Sequence, residues 1–471
     1  MDLLPRVGAG MPLMVSISGV RGIIGESLTP EVVVKYAAAF GQYCKTQPVG
    51  KPTVIVGQDG RFTGAMLSDL VCSTLNAMGV DVRYLGISPT PTVQLAVEHD
   101  HAAGGISVTA SHNSIEWNGM KFIASTGMFL DGAENKALRA LADRSPAYSR
   151  WDSIGARRSD SSWIRRHIEK VLGLPSLQPE VIRARKFKIV LDCINAAGGV
   201  IVPALLESLG CTVIPINCEV SGHFRHTPEP LPENLTDLAQ RVKAEKADLG
   251  IAVDPDVDRL VFITEEGKPY SEEYTIASVV KFILEKHRSL PVDQRRVVVN
   301  LSTTRAVDDI ARSYGSEVTR TPVGEINVAK AMKQLGAIVG GEGSGGVILP
   351  SIHLGRDAIV GIGLVLQQLA EFRGTLSQLK ATLPRYAIAK GKIALGGALP
   401  DAVLSAIAAA QTGKAVVNTQ DGVKLDFPDY WVHVRKSNTE PILRVIAEGK
   451  TIEDASVVLN DFTEEIAASL R

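Results

Sequence analysis

"KPTVIVGQDGRFTGAMLSDLVCSTLNAMGVDVRYLG", residues 51–86, is the stretch on which the fold turns. It opens on a β-branched apolar run short enough for a buried parallel strand. A glycine-containing turn follows, then an amphipathic stretch that predicts a helix ending near Gly79, then a second strand. The same order recurs in "KFKIVLDCINAAGGVIVPALLESLGCTVIPIN", residues 186–217, with the helix ending near Gly210. It recurs again in "RRVVVNLSTTRAVDDIARSYGSEVTRTPVG", residues 295–324, with Gly315 in that place. The copies start too far apart for a solenoid, so they predict three similar α/β domains.

Each copy is followed by another apolar run that ends in a polar or glycine-rich loop. GGISV precedes TASHN (109–113), LGIAV precedes DPDVDR (254–259), and GAIVG precedes GEGSGG (341–346). Ligands of open α/β sheets bind beyond the carboxyl ends of the strands, so all three loops are expected at one shared cleft. Beyond them, "FRGTLSQLKATLPRY" (372–386) predicts a connecting helix, and "DYWVHVRKSNTEPILRVIAEG" (429–449) reads as strand, loop and strand. The expected fold class is α/β: three similar α/β domains with mixed sheets around a shared cleft, plus a smaller C-terminal α+β domain. The expected boundaries are 1–155, 156–268, 269–373 and 374–471.

Bulk properties exclude several classes. The 471 residues exceed what one core organises, and 45% hydrophobic with 21% charged residues is ordinary for a globular chain. Fifty Lys and Arg against 51 Asp and Glu give no global field to draw nucleic acid or an acidic membrane. A small anionic substrate remains open, since a few local arginines suffice to hold one. The five cysteines (44, 72, 193, 211, 218) are odd in number with no CxxC pair, which fits a reducing cytoplasm better than a disulfide framework. No apolar run reaches the roughly 18 residues of a membrane span, and residues 1–19 are expected to be a short leader before the first domain. Monomer and homodimer both stay open.

The loops carry the chemistry. In "VTASHNSIEWNGMK" (108–121), Ser111 stands beside His112 and Asn113, with Lys121 further on, and is either ordinary turn chemistry or a reacting hydroxyl. DPDVDR sets Asp254, Asp256 and Asp258 on one side of an extended segment, followed by Arg259. Three such carboxylates repel unless a cation neutralises them, and oxygen ligands without His or Cys favour a hard ion, Mg2+ first. An acidic turn is the plain alternative. An EF-hand count through Glu265 fails at its sixth position, where Arg259 stands instead of glycine. Glu342 and Ser344 of GEGSGG suit sugar hydroxyls or belong to a flexible turn. In RKSNTEP (435–441), Arg435 with Ser437, Asn438 and Thr439 makes either a phosphate nest or a capped turn. Arg21, between glycines in SISGVRG (16–22), is a phosphate contact or a surface charge.

Together these loops resemble the α-D-phosphohexomutase superfamily, which interconverts hexose 6-phosphates and 1-phosphates. The likeness runs from SISGVRG to RKSNTEP with the motifs in the family's order. It implies that Ser111, in a phosphoserine loop with His112, carries a phosphoryl group. It further implies that Asp254, Asp256, Asp258 and phospho-Ser111 hold Mg2+, and that Arg259 and Lys121 serve the transfer. Arg21, Glu342, Ser344, Arg435, Ser437, Asn438 and Thr439 would bind the sugar phosphate, and a glucose 1,6-bisphosphate-type activator would maintain the phosphoserine. Three positions depart from the family. Ser114 stands for a proline, Glu325 for a histidine proposed in proton transfer in some members, and Gly346 for a histidine ending the sugar loop. The last two bear on the general acid/base and on the sugar. The activity implied is phosphoglucosamine mutase, with phosphomannomutase/phosphoglucomutase as the alternative. A metal-dependent sugar phosphatase and a non-catalytic sugar-phosphate-binding protein are more remote.

Overall fold

The computed structural model describes residues 13–17, 19–46, 50–395, 398–437 and 442–469. The chain divides into two compact units: residues up to 271 with 351–376, and residues 272–350 with 377 onward.

In the first unit the opening repeat forms strand Thr53–Gln58, helix Gly64–Ala77 and strand Asp81–Ile87, the strands parallel. The helix buries Leu67, Val71 and Leu75, four residues apart on one face, in the same core as Val54 and Val56 of the first strand. Gly79 then takes a φ of 77°, and Gly210 (69°) and Gly315 (68°) do the same after their helices, where the chain reverses. Gly104–Val108 adds a parallel strand on the other side of Thr53–Gln58, and Trp117–Ala124 returns antiparallel beside it. Met14–Ser16 and Gly19–Ile23 extend that edge, and Arg157–Ser159 the opposite one.

The second repeat has the same plan. Lys188–Asp192 lies between parallel Thr212–Ile216 and Leu249–Val253, and Leu260–Thr264 runs antiparallel beside the last. In the other unit, Val297–Asn300 lies between parallel Val318–Thr321 and Val339–Glu342, with Gly346–Leu349 antiparallel beside Val339–Glu342. Each of the three sheets is therefore mixed, and each has the same reversal. The loops carrying Ser111, the three aspartates and Ser344 all join the third strand of a repeat to its antiparallel fourth.

The C-terminal part of the second unit is different. Ala387–Ala394, Ile442–Gly449, Trp431–Lys436, Val423–Asp426 and Val416–Asn418 form an all-antiparallel sheet. Helices Pro400–Gln411 and Ile452–Ser469 pack on it around Val432, Val434, Leu443, Val445 and Phe462. This is the expected α+β domain.

The connecting helix is short, Leu376–Ala381. A longer one precedes it, Ala358–Phe372, buried at every position from Ala358 to Ala370. A helix apolar all round must be enclosed. This one packs against Trp163–Leu172, Pro179–Arg185 and Leu260–Thr264, so residues 351–376 group with the first unit although the sequence boundaries assign them up to 373 to the third domain. Among the described residues no helix is long and apolar enough to cross a membrane.

Candidate active site

Ser111 follows strand Gly104–Val108 with a φ of 50°, a left-handed conformation that a non-glycine residue adopts only when its surroundings impose it. The surroundings here are a buried arginine. Arg61 donates through Nη2 to Ser111 O and Asn113 O (both 2.6 Å) and through Nη1 to Ser114 O (2.8 Å) and Trp117 O (2.9 Å). Its Nε donates to Asp59 Oδ2 at 3.0 Å, so all five guanidinium N–H groups are used. Asp59 Oδ2 also accepts from Thr109 Oγ1 (2.6 Å), and Thr109 Oγ1 in turn accepts from Ser111 N (2.8 Å). The loop is wound round one cation.

That winding presents the hydroxyl to the second repeat's loop. Ser111 Oγ donates to Asp254 Oδ2 at 3.1 Å and lies 3.3 Å from His112 Nδ1. Asp254, Asp256 and Asp258 are buried, and one carboxylate oxygen from each falls within 4.8 Å of the others. Strands enter and leave this loop, which rules out an EF-hand. Asp254 Oδ1 accepts from Asp258 N and Arg259 N, both at 3.1 Å. Lys121 Nζ donates to Asp256 Oδ2 (2.6 Å) and Asp258 Oδ2 (3.0 Å), and Thr90 Oγ1 to Asp256 Oδ2 (2.6 Å). Asp256 Oδ1 and Asp258 Oδ1 are left buried without a hydrogen-bond partner among the described residues.

The electrostatics divide the site between an under-compensated carboxyl at Asp254 and a cation-rich side at Asp258 and His112. Burial, then Asp258 and Asp256, push the Asp254 carboxyl well above the usual range. Burial also acts to raise Asp258, but Arg356, Lys121 and Arg259 outweigh it and hold that carboxyl far below its ordinary value. Arg259, burial and Arg21 pull the His112 imidazole well below its ordinary value. Buried carboxylates with orphaned oxygens and an all-oxygen donor set fit a hard divalent cation.

Within this unit the structure thus brings together Ser111, His112, Lys121, Asp254, Asp256, Asp258 and Arg259. Arg21, on strand Gly19–Ile23, joins them, donating to Asn113 Oδ1 at 3.0 Å. Arg259 reaches outward to Glu229 Oε1 at 3.3 Å.

In the second unit, Glu342 closes strand Val339–Glu342, and its Oε1 accepts from Asn300 Nδ2 (2.7 Å) and Gly324 N (2.9 Å). Ser344 is half-buried in the following turn. Glu325 opens helix Glu325–Leu335 directly after Gly324. Arg435 lies near the end of strand Trp431–Lys436 and forms an ion pair, its Nε 2.9 Å from Asp421 Oδ2, and that oxygen accepts a hydrogen bond from Val323 N at 2.9 Å. Ser437 N donates to Ile442 O at 3.0 Å, while Asn438 and Thr439 lie outside the described residues. Arg435 and Glu342 are therefore both tied to the turn at Val323 and Gly324.

Sequence reasoning missed Arg61, Asp59, Thr90 and Arg356. One signal was available. Each repeat's first strand runs into an Asp or Asn that accepts the amide two residues on: Asp59 from Arg61 N (3.0 Å), Asp192 from Ile194 N (2.9 Å) and Asn300 from Ser302 N (2.9 Å). Aligning the three copies on one another exposes that position.

Four family profiles match in order along the chain: phosphoglucomutase/phosphomannomutase α/β/α domain I over residues 14–149, domain II over 165–267, domain III over 271–386 and the C-terminal domain over 396–465. A Methanopyrus kandleri protein named probable phosphoglucosamine mutase is 35% identical over 449 residues, 95% of this chain and 96% of its own. A Thermococcus kodakarensis protein named phosphoglucomutase/phosphomannomutase is 37% identical over 439 residues, 93% and 94% of the two chains. The crystal structure of a phosphoglucomutase/phosphomannomutase family protein from Burkholderia thailandensis matches with a TM-score of 0.82 at 26% identity, covering 97% of this chain and 98% of that one. With one family covering all four domains, the chain belongs to the phosphoglucomutase/phosphomannomutase family of the α-D-phosphohexomutase superfamily and is a phosphohexomutase, an intramolecular phosphotransferase of the isomerase class.

Proposed function

We propose that this phosphohexomutase carries its phosphoryl group on Ser111, works through a hexose 1,6-bisphosphate, and prefers glucosamine phosphate. The observation that carries the first part is the 3.1 Å hydrogen bond from Ser111 Oγ to Asp254 Oδ2, which sets a hydroxyl against three buried carboxylates. Asp254, Asp256 and Asp258, joined by the phosphate of Ser111, would hold Mg2+. Bound there, the ion supplies charge that neutralises the phosphoryl oxygens.

The substrate's free hydroxyl attacks phosphorus as the bond from phosphorus to Ser111 Oγ breaks, and the proton it loses ends on Ser111 Oγ. His112 Nδ1, 3.3 Å from that oxygen, is placed to relay it. Lys121 and Arg259 stabilise charge on the transferring group, and Arg21 assists. The bisphosphate then turns round and returns its other phosphate to Ser111. Arg435, Ser437, Asn438 and Thr439 grip the phosphate that is not reacting, while Glu342 and Ser344 read sugar hydroxyls. A trace of a glucose 1,6-bisphosphate-type activator restores phosphoserine when it is lost. The cysteine pattern supports a cytoplasmic location.

The preference for glucosamine rests on Glu342, whose carboxylate can accept from a 2-ammonium group, and on Gly346, which adds no imidazole charge nearby. The name of the Methanopyrus relative supports the same sugar. That of the Thermococcus relative, at 37% identity, favours mannose and glucose phosphates as a second reading. Turnover on glucosamine 1-phosphate and mannose 1-phosphate, each with a trace of the corresponding bisphosphate, separates them. A higher kcat/KM for glucosamine 1-phosphate is expected, and an equal or higher value for mannose 1-phosphate replaces the first reading with the second. Release of free phosphate in place of the isomer points to hydrolysis.

A further inference from the structure

Lys121 is not the sole cation on the carboxylates. Arg356 Nη2 donates to Asp258 Oδ2 at 2.6 Å, with 10% and 1% of the two side chains exposed. Buried pairs of this kind are little screened. Among the described residues, Lys121 and Arg356 hydrogen-bond to these carboxylates, while Arg259 makes a longer ion pair, 3.9 Å from Asp258 Oδ1, and gives Nη1 to Glu229. Arg356 and Lys121 both take Oδ2 of Asp258, which leaves Oδ1 as the oxygen without a hydrogen bond.

Arg356 is seated by its neighbour. Asp357 caps helix Ala358–Phe372, its Oδ1 accepting from Ile359 N (2.8 Å) and Val360 N (3.3 Å). Its Oδ2 faces Nε2 of His167 (2.8 Å) and Nε2 of His353 (3.1 Å), so both rings carry a proton on Nε2. Thr92 Oγ1, 2.9 Å from His167 Nδ1, closes this buried cage. Ala358 N donates to Val257 O at 3.2 Å, inside the aspartate loop. Residues 356 and 358 thus grip that loop, and the residue between them is locked by two imidazoles.

We propose that Arg356 is a built-in counter-cation of the triad: held on Asp258 by the Asp357 cage, it opposes the incoming metal ion and keeps its affinity moderate. It acts as a positioning residue, through the carboxylate. The inference rests on the reading of Asp254, Asp256 and Asp258 as the metal site.

The test is direct binding of Mn2+ and Mg2+ to the full-length protein, by electron paramagnetic resonance and calorimetry, without turnover. Removing one unit of positive charge a few ångströms from a divalent ion should tighten binding about fivefold to tenfold in Arg356→Gln. Arg356→Lys, which keeps the charge, should stay within about twofold of wild type. Unchanged or weaker binding in Arg356→Gln overturns the proposal, as does Arg356→Lys binding as tightly as Arg356→Gln. Asp256→Asn separates the underlying reading: if it binds Mn2+ as well as wild type, the triad is not the metal site.

Discussion

The loops after Gly104–Val108 and Val339–Glu342 hold the same place in two copies of one sheet, yet they are held in opposite ways. The first is wound round a buried guanidinium that takes four of its carbonyls. The second is set by close approach of backbone. A Cβ at Gly341 would run into Gly346 O, and one at Gly343 into the Glu273 carboxylate. A loop that must present one oxygen in an unfavourable backbone conformation needs strong, directional restraint, and buried charge provides it. A loop drawn tight against its neighbours needs nearness, and glycine provides that.

Ser111→Ala should have the largest effect, in the first loop. Turnover should fall by about 10⁴-fold or more, because in the proposed mechanism the hydroxyl is the carrier and nothing replaces it. Stability should change by less than about 1 kcal/mol, and mass spectrometry should find the phosphate of the wild-type peptide missing. Retention of a large part of the activity would refute the carrier role.

Arg61→Met comes next. It strands the fully buried Asp59 and unpairs four carbonyls, at a cost of about 3–5 kcal/mol in urea unfolding. A cost near zero would mean that the first loop holds its shape without the cation.

Glu342→Gln keeps the shape of the second loop and weakens a charged acceptor of two hydrogen bonds. KM for hexose phosphates should rise about threefold to tenfold with a smaller change in kcat. An equal fall in kcat with unchanged KM would move Glu342 from sugar reading to the chemical step.

The smallest effect concerns Glu273 under Gly343. Burial pushes its carboxyl up from an ordinary 4.5 to about 8. Between those values the folded state keeps a proton that the unfolded chain has released, so this group's contribution to stability is present at acid pH and is lost as pH rises towards 8. Thermal unfolding from pH 5 to pH 9 should show this decline in wild type and a flatter profile in Glu273→Gln. Identical profiles would show that the carboxyl under the second loop titrates normally.

The fold was legible because its signals are local. Three β-branched runs, three helices ending at Gly79, Gly210 and Gly315, and three polar loops are visible within short windows. DPDVDR declares its charge crowding in six residues. What stayed hidden depends on distant partners. "GQDGRF" reads as a turn, and only the carbonyls of Ser111, Asn113, Ser114 and Trp117, more than forty positions on, make Arg61 the centre of a loop. Asp357 and His167 are 190 positions apart, and no spacing rule links them. The apolar helix Ala358–Phe372 announces that it needs cover without saying whose.

That helix also sets an order of assembly. Residues 272–350 are translated between the bulk of the first unit and the segment that completes it. At about 5–20 residues per second, the nascent first unit waits several seconds with the surfaces that receive Ala358–Phe372 bare. Arg356 arrives in the same segment, so the three aspartates wait for one of their cations as well. The aspartate loop reaches its final charge balance only as the hydrophobic core closes, and a chain stalled before residue 351 is both sticky and electrostatically unfinished, a ready client for chaperones.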